Sequence, residues 1–303
     1  MKTLKQINIL IVLALVFSLL IFNSCSKERI EPNEEEEELN EYNTMNDYFD
    51  AKKQEEQEFV IDTSGTDPII GNQGTKVWPA KEKLMFANGD SVQWPYTVNL
   101  IELYTPKDMI YYQMPTIASG ELLTTGGEIR LRAFKDGQEL VLRPGKTWTV
   151  EMPNTVPISN MEIYYGVENT TYVDWEANPV GLFTTTAYGY LGNIAQLGWA
   201  ACGKDAGNTA TTTNYTFVST TDNLQNLSIF IYFSNLESLM QVYDLTSGDI
   251  PIGEDIKIIL MGVDSSDNLF YYFSNTQVNS SNQVNVALTA ISDTDLTVIL
   301  DGL

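Results

Sequence analysis

The chain of 303 residues has no histidine and only two cysteines, Cys25 and Cys202. The absence of histidine excludes Ser-His-Asp and Cys-His catalysis and all histidine-ligated zinc or iron sites. Two thiols cannot form a disulfide framework, and a single thiol besides Cys25 cannot make a structural zinc site. Because histidine is also absent, we predict no catalytic residue, no structural metal and no cofactor. Cys202 is predicted to be a buried, inert thiol. A reactive role would need a positive group nearby, and Lys204 is the candidate for it.

Positive charge is also scarce, because 17 Lys and Arg face 40 Asp and Glu, which gives a formal net charge of −23. A folded part this acidic repels phosphate backbones and anionic lipid headgroups. Nucleic acid and a polybasic membrane contact are therefore not expected as partners. Hydrophobic residues make up 43% of the chain, enough for one large domain or two ordinary domains.

The chain begins with a short apolar segment, Ile7 to Phe22, preceded by Lys2 and Lys5 and followed by Ser24 and Cys25. The segment falls short of the roughly 20 residues that a membrane span needs and is typical of a signal peptide. The arrangement resembles a bacterial lipoprotein signal, which implies cleavage after residue 24 and lipidation of Cys25. The alternative is an uncleaved anchor helix; under either interpretation the chain is held at a membrane.

Residues 25–58 are predicted to form an acidic tether that contains the run Glu34 to Glu38. The run resembles the acidic export signal of surface lipoproteins in the Bacteroidetes group; alternatively it is a solvated spacer whose like charges extend the chain. We expect an outer-membrane location, with the cell surface favoured over the periplasmic face.

Within the tether, Leu39, Tyr42, Met45 and Phe49 recur at helical spacing. This spacing predicts a short amphipathic helix whose apolar stripe docks on the folded domain.

From Phe59 the pattern becomes that of an all-β protein. The segment EIRLRAF alternates strictly, with Ile129, Leu131 and Ala133 on one face, and LSIFIYF (227–233) is apolar on both faces, as in a central strand. Further strands are predicted at TVNLIEL, TWTVEM, DIKIILMGV, NLFYYFS, QVNVALTAI and DLTVILDGL, with no helix in the first half and with 164–213 irregular. We therefore predict two β-sandwich-like units, residues 59–153 and 154–303.

Several short motifs resemble the N-terminal domain of a set of Bacteroidetes outer-membrane lipoproteins, itself similar to the β-sandwich module named for zonula occludens and uncoordinated-five proteins. The matching residues are Gly71, Gly74-Thr75, Pro79-Ala80, Met114-Pro115-Thr116 and Gly126-Gly127-Glu128, with GWAACGKDAG and IPIGEDIKIILMG in the second half. The motifs are structural, so the resemblance implies a two-part β protein of the outer membrane and transfers no activity.

Candidate binding residues are few. Trp94 and Trp175 lie among turn residues, where an exposed ring could stack on a sugar, although packing in the core is the alternative for both. Asp264 and Asp267 are weak calcium candidates, as are the aspartates of SDTDL (292–296), and the alternative for all of them is an ordinary turn.

These observations predict a non-catalytic binding or display protein of the cell envelope, held by its N-terminal lipid and contacting a glycan or another envelope protein. A structural subunit of an envelope complex is the main alternative. A glycan hydrolase with two carboxylates is a further one, because 40 carboxylates are present but no pair stands out.

Overall fold

The structure, a computed structural model, describes residues 42–63, 66–168, 173–207 and 211–303. The signal segment, Cys25 and the glutamate run lie outside the described residues, as does Leu39. Residues 41–303 form one compact unit.

The described chain is mostly β-strand and has three short helices, which confirms the all-β prediction. The helices are α1 (Met45–Lys52), α2 (Pro106–Tyr112) and α3 (Asp293–Asp301). The strands up to residue 153 are β1 (Gln57–Ile61), β2 (Ile69–Ile70), β3 (Lys76–Trp78), β4 (Leu84–Phe86), β5 (Tyr96–Leu103), β6 (Ile117–Ala118), β7 (Glu121–Lys135), β8 (Gln138–Leu142) and β9 (Trp148–Pro153).

The remaining strands complete the sandwich and build a further sheet. They are β10 (Glu162–Glu168), β11 (Val173–Leu182), β12 (Thr184–Thr185), β13 (Gly189–Ile194), β14 (Gly198–Asp205), β15 (Thr212–Thr213), β16 (Thr216–Val218), β17 (Ser228–Phe233), β18 (Ser238–Val242), β19 (Ile250–Pro251), β20 (Asp255–Val263), β21 (Leu269–Gln277), β22 (Gln283–Asn285) and β23 (Thr289–Ala290).

Two sheets form a sandwich around an apolar core. The large sheet has the order β1-β5-β7-β14-β10-β11, with β4, β6 and β8 beside it, and the facing sheet has the order β12-β13-β9-β3-β2. The predicted alternation in β7 is confirmed, since Ile129, Leu131 and Ala133 are fully buried in this core. Trp148 and Val150 of the facing sheet meet them from the other side.

The predicted boundary between residues 153 and 154 does not separate two sets of sheets. Strand β9 pairs with β13 and β7 pairs with β14, so strands from both sides of Pro153 share both sheets of the sandwich. The segment 164–213, predicted to be irregular, supplies most of β10 and the strands β11 to β15. Its glycines hid the pattern, because they stand where neighbouring side chains approach too closely for a Cβ atom, as Phe183 does at Gly192.

A third sheet, the C-terminal sheet, has the order β18-β17-β20-β21-β23. Ile229 and Ile231 of β17 face one core, and Phe230 faces another. This confirms the prediction of a central strand that is covered on both faces. The core containing Phe230 also contains Ile101 and Trp199, so it lies against the large sheet's outer face.

Helices fill the space between the large sheet and the C-terminal sheet. The helix predicted in the tether is present in part, because α1 begins at Met45 with a capping box at Thr44 and Tyr42 lies before it. The helix buries Met45, Tyr48 and Phe49. Residues 45–52 thus belong to the folded body rather than to an extended tether.

Two predictions about helices were wrong. DLTVILDGL was predicted to be a strand, but it forms α3, because the Ser292 side chain accepts from the backbone N–H of Asp295 and caps a first turn. Helix α2 interrupts the first run of strands, and it is only seven residues long, too short for a periodic signal. Its own signal is local: Thr105 caps it and Pro106 stands at its start.

Candidate functional site

The two tryptophans singled out from the sequence have different positions. Trp175 is only 1% exposed, and its Nε1–H donates to the carbonyl of Pro115 at 2.9 Å. It is a core residue and offers no face to a ligand, so it does not meet the condition of an exposed aromatic. Trp94 is half-buried, and its ring stacks on that of Tyr96 with 5.3 Å between centroids.

The aspartate candidates are explained by local structure. The Asp264 carboxylate accepts from the backbone N–H groups of Ser266 and Asn268, and the Asn268 backbone N–H, as the main cause, lowers the pKa of Asp264. Asp293 accepts from the Tyr48 hydroxyl and pairs with Lys52. Within the described ranges, no group of three or more acidic or cysteine side chains could hold a metal ion.

Cys202 lies in β14 and is fully buried among apolar side chains. Burial raises the pKa of its thiol well above the ordinary value, which removes the thiolate that a reactive cysteine needs. The predicted burial of this thiol is confirmed.

The Gly-x-x-Gly-Thr motif encloses a buried carboxylate. Glu102 of β5 accepts from Gln57 Nε2 at 2.9 Å and from the backbone N–H groups of Gln73 at 2.9 Å and Thr75 at 2.8 Å. A Cβ atom on Gly71 would lie 2.5 Å from the Glu102 carboxyl carbon. The motif is therefore structural, since the loop needs glycine in order to wrap around Glu102.

A groove of about 560 Å³ lies between the large sheet and the end of α1. Trp199 of β14 lies at its base, and Tyr112 at the end of α2 packs edge-on at 6.0 Å between ring centroids. The groove lining also includes Asp50, Lys53, Gln54, Glu55, Glu56, Ile101, Met114, Arg130 and Val173. Its volume falls in the range of about 300–1,000 Å³ that small-molecule sites occupy.

Charged side chains in the groove are held in fixed positions. Arg130 lies opposite Trp199 in the sheet register, and its guanidinium carbon is 5.3 Å from the centre of the Trp199 ring. It also donates through Nη2 to Glu56 at 3.2 Å, and Glu56 accepts from Asn99 Nδ2 at 3.0 Å. Such a cation over an indole ring orients the guanidinium without a second carboxylate.

One donor in the groove is unused. The Nε–H of Arg130 is buried and has no acceptor in the described part of the chain. Buried donors without an acceptor are rare in folded proteins.

Tyr112 holds the wall of the groove in place through two contacts. Its hydroxyl donates to the carbonyl of Gln54 at 2.6 Å, and Lys53 Nζ lies 5.5 Å from the centre of its ring. Burial raises the pKa of Tyr112 to about 12, so the hydroxyl stays protonated and keeps donating. The segment between α1 and β1 is thus tied to α2.

Sequence reasoning did not identify Trp199, Tyr112, Arg130 or Glu56 as a group. The alternation of EIRLRAF places Arg130 on the face opposite to Ile129. The residues that Arg130 meets there, Trp199 and Glu56, are distant from it in sequence. The sequence gives a partial signal for the contact between Arg130 and Trp199. An arginine on one face of a strand and a tryptophan in a later strand can become neighbours when the two strands pair.

A second, smaller cavity of about 220 Å³ lies where the sandwich meets the C-terminal sheet. Gly126 and Gly127 line it at a β-bulge of β7, where the pairing with β14 shifts between Ala201 and Gly203. Gly127 has φ +118°, a backbone conformation that favours glycine.

Glu128 follows the bulge and is fully buried. Neither of its carboxyl oxygens has a hydrogen-bond partner among the described residues. Burial raises the pKa of Glu128 well above its ordinary value, which favours the neutral acid.

Comparison of the chain with protein-family models, with curated proteins and with solved structures returned no match. Among the residues that the structure covers, no helix has the length and apolar character needed to cross a membrane.

Proposed function

We propose that the protein is a lipid-anchored, non-catalytic binding protein of the bacterial cell envelope, and that its groove holds a glycan. The lipid on Cys25 keeps the protein at the outer membrane, preferentially at the cell surface, and the acidic segment carries the folded body away from the lipid headgroups. The observation that carries the binding role is the groove itself, with its aromatic base and charged walls.

The chemistry of the groove suits a sugar. The half-buried ring of Tyr112 can stack on the apolar face of a pyranose, and carboxylates and guanidinium groups exchange hydrogen bonds with hydroxyls. Arg130 lines the groove and is partly exposed, so its guanidinium can donate to a sugar oxygen. Asp50 pairs with Lys53 and Glu56 pairs with Arg130, which suits fixed charges better than a general acid that must carry a proton.

The test is a glycan array probed with the chain from residue 26 onward, since a fragment starting at Phe59 would lack α1 and one wall of the groove. Tyr112→Ala should lower the affinity for any glycan that binds by about tenfold, and Glu56→Gln should also weaken it. Trp94→Ala is the matched control, because it removes an aromatic ring outside the groove. Loss of binding in Trp94→Ala alone would place the site elsewhere.

The anchor is tested separately. Radioactive palmitate should label the parent chain, and Cys25→Ala should lose both the label and the membrane association. A mutant that remains with the membrane fraction, together with an unlabelled parent, would favour the retained anchor helix instead.

The role of a structural subunit has an observation in its favour. Strand β21 pairs with β23 only at Phe270 and Tyr271, and no other strand in the described ranges pairs with the outer edge of Tyr272–Gln277. An open edge can accept a strand from another protein. If no glycan binds and a crosslink placed in this edge recovers an envelope complex, the structural role replaces the binding role. Turnover of a bound glycan, lost in Glu56→Gln, would instead indicate a hydrolase.

A further inference from the structure

The C-terminal sheet has one edge that is open to solvent. Strand β21 pairs along its whole length with β20, but on its other side β23 pairs with it only at Phe270 and Tyr271. The rest of that side, residues 272–277, is here called the open edge, and no strand in the described ranges lies beyond it. Phe273 is 37% exposed, and the last three residues of the open edge are exposed as well. The backbone groups on this side are therefore available to another strand.

The other edges of the three larger sheets are protected against such pairing. At the two ends of the large sheet, β1 carries the exposed Glu58 and β11 carries the exposed Glu176. The facing sheet ends in β12 and β2, which are two residues long. Strand β18, at the other end of the C-terminal sheet, is covered: the Leu239 carbonyl accepts from the Thr116 backbone N–H at 2.9 Å, and the Leu239 N–H donates to Thr116 Oγ1 at 2.7 Å. Charged side chains, short strands and covering segments all keep a sheet edge from pairing with another chain.

The open edge carries neither charge nor proline. No residue from Asn268 to Ser292 is charged, although 19% of the chain is, and this neutral segment includes both β21 and the adjoining β23. The nearest charged residues in the register lie one strand further in, on β20, where Asp255 is opposite Gln277 and Lys257 is opposite Asn275. The open edge is thus a neutral strand on a strongly acidic molecule.

We propose that the open edge pairs with the open edge of a second copy of this chain, antiparallel and about a two-fold axis, so that two C-terminal sheets become one continuous sheet. The same uncharged segment then lies on both sides of the contact, and no like charges oppose each other there. Elsewhere the net charge of −23 makes two copies repel. A neutral edge offers no charge partner to a strand from a charged protein, so a second copy fits its chemistry best.

The geometry makes this dimer closed and weak. Each copy uses its open edge once, so pairing about a two-fold axis ends at two copies and does not continue into a fibre. A contact of six residues a side is well short of the roughly 20–30 residues a side of a standard interface, so we expect a dissociation constant of about 100 μM. The dimer goes beyond the proposed function, because it depends neither on the groove nor on the lipid.

The test is sedimentation equilibrium of the chain from residue 26 onward, which contains the whole compact unit 41–303. We expect a monomer–dimer equilibrium that is at least about fivefold tighter in about 0.5 M NaCl than in about 0.05 M NaCl, because salt screens the repulsion between two acidic copies. Association that weakens with salt would indicate ion pairs and overturn the proposal. A chain that stays monomeric at about 1 mM in high salt would also overturn it and leave the edge to a strand from another protein. Species larger than a dimer would contradict the closed pairing.

Charges placed in the open edge test where the contact lies. Thr276→Glu and Thr276→Lys should each weaken dimerisation at least about tenfold, because the two-fold axis brings like charges together, whereas an equal mixture of the two variants should dimerise again through opposite charges. Thr184→Glu is the matched control, since Thr184 is exposed on the short edge strand β12, and it should leave the dimer unchanged. Recovery in the mixture also shows that both variants are folded. If both variants dimerise like the parent, or if their mixture stays monomeric, the open edge is not the contact.

Discussion

Glu102 and Glu128 are the same residue type on neighbouring strands of one sheet, and both are fully buried, but their surroundings are opposite. Glu102 accepts hydrogen bonds from three donors of the loop and of β1. Glu128 has no hydrogen-bond partner among the described residues. Glu102 pairs in register with Ile129 of the sandwich core, and Glu128 pairs with Leu103 of the core that contains Trp199 and Phe230.

The difference separates the structural side of the molecule from its adaptable side. Where two sheets pack together, the buried carboxylate is satisfied and fixes a loop. Where helices and the C-terminal sheet cover the same large sheet, the groove, its charged side chains and the unpaired Glu128 carboxyl remain. A buried carboxyl without a partner costs free energy, so the presence of Glu128 does not stabilise the fold.

The largest effect is expected from replacing the satisfied carboxylate. Glu102→Leu should lower the free energy of unfolding by about 3 kcal/mol or more, because it leaves three donors without their acceptor. Urea denaturation followed by tryptophan fluorescence measures this change. A loss below about 1 kcal/mol would mean that water replaces the carboxylate and that Glu102 does not fix the loop.

An intermediate effect is expected from crowding the same carboxylate. Gly71→Ala places a methyl group 2.5 Å from the Glu102 carboxyl carbon and 2.6 Å from Leu100, so it should cost about 1–3 kcal/mol. Gly248→Ala is the matched control, since its nearest contact outside the flanking residues is 3.5 Å, an ordinary van der Waals distance. Equal melting temperatures for the two variants would contradict the steric explanation.

The smallest effect, with the opposite sign, is expected at the unpaired glutamate. Glu128→Leu should raise the free energy of unfolding by about 1 kcal/mol near pH 4.5, because an apolar group of similar size replaces a desolvated acid. The same denaturation experiment measures it, with Glu102→Leu as the comparison. Destabilisation in both variants would show that the two glutamates play similar roles.

The gain from Glu128→Leu should depend on pH. An unfolded glutamic acid loses its proton near pH 4.5, whereas burial raises the pKa of Glu128 in the folded state. The folded protein then holds the extra proton, so rising pH above this value destabilises the parent, by at most about 1.4 kcal/mol per pH unit, until the folded pKa is reached. The difference between variant and parent should therefore be small at pH 4 and should grow toward pH 7.

The strands of the large sheet could be predicted because one of its faces is uniformly apolar. Ile129, Leu131 and Ala133 alternate with arginines, and this pattern specifies strand, face and burial together. Helix α1 was predictable from the helical spacing of its apolar residues Met45 and Phe49.

The groove and the cavity could not be predicted, since each joins residues that are distant in sequence. The sequence does not indicate that Glu128 is buried. The triplet Gly126-Gly127-Glu128 is compatible both with a surface turn and with a bulge that buries the next side chain. The role of the Trp175 ring was ambiguous for a similar reason: its neighbours are turn-forming residues, but it lies in β11 and points into a core. Local composition describes the backbone, and burial depends on what packs against it.

The first helix also connects the two ends of the folded body. Tyr48 and Lys52 of α1 contact Asp293 of α3, and Lys107 of α2 contacts Asp301 at the end of that helix. If the N-terminal segment is fastened to a membrane, shear on the cell surface pulls first on α1. The strain would then reach the groove wall at Lys53 and Glu56 before the sandwich, so mechanical load would change the shape of the groove while the sandwich stays folded.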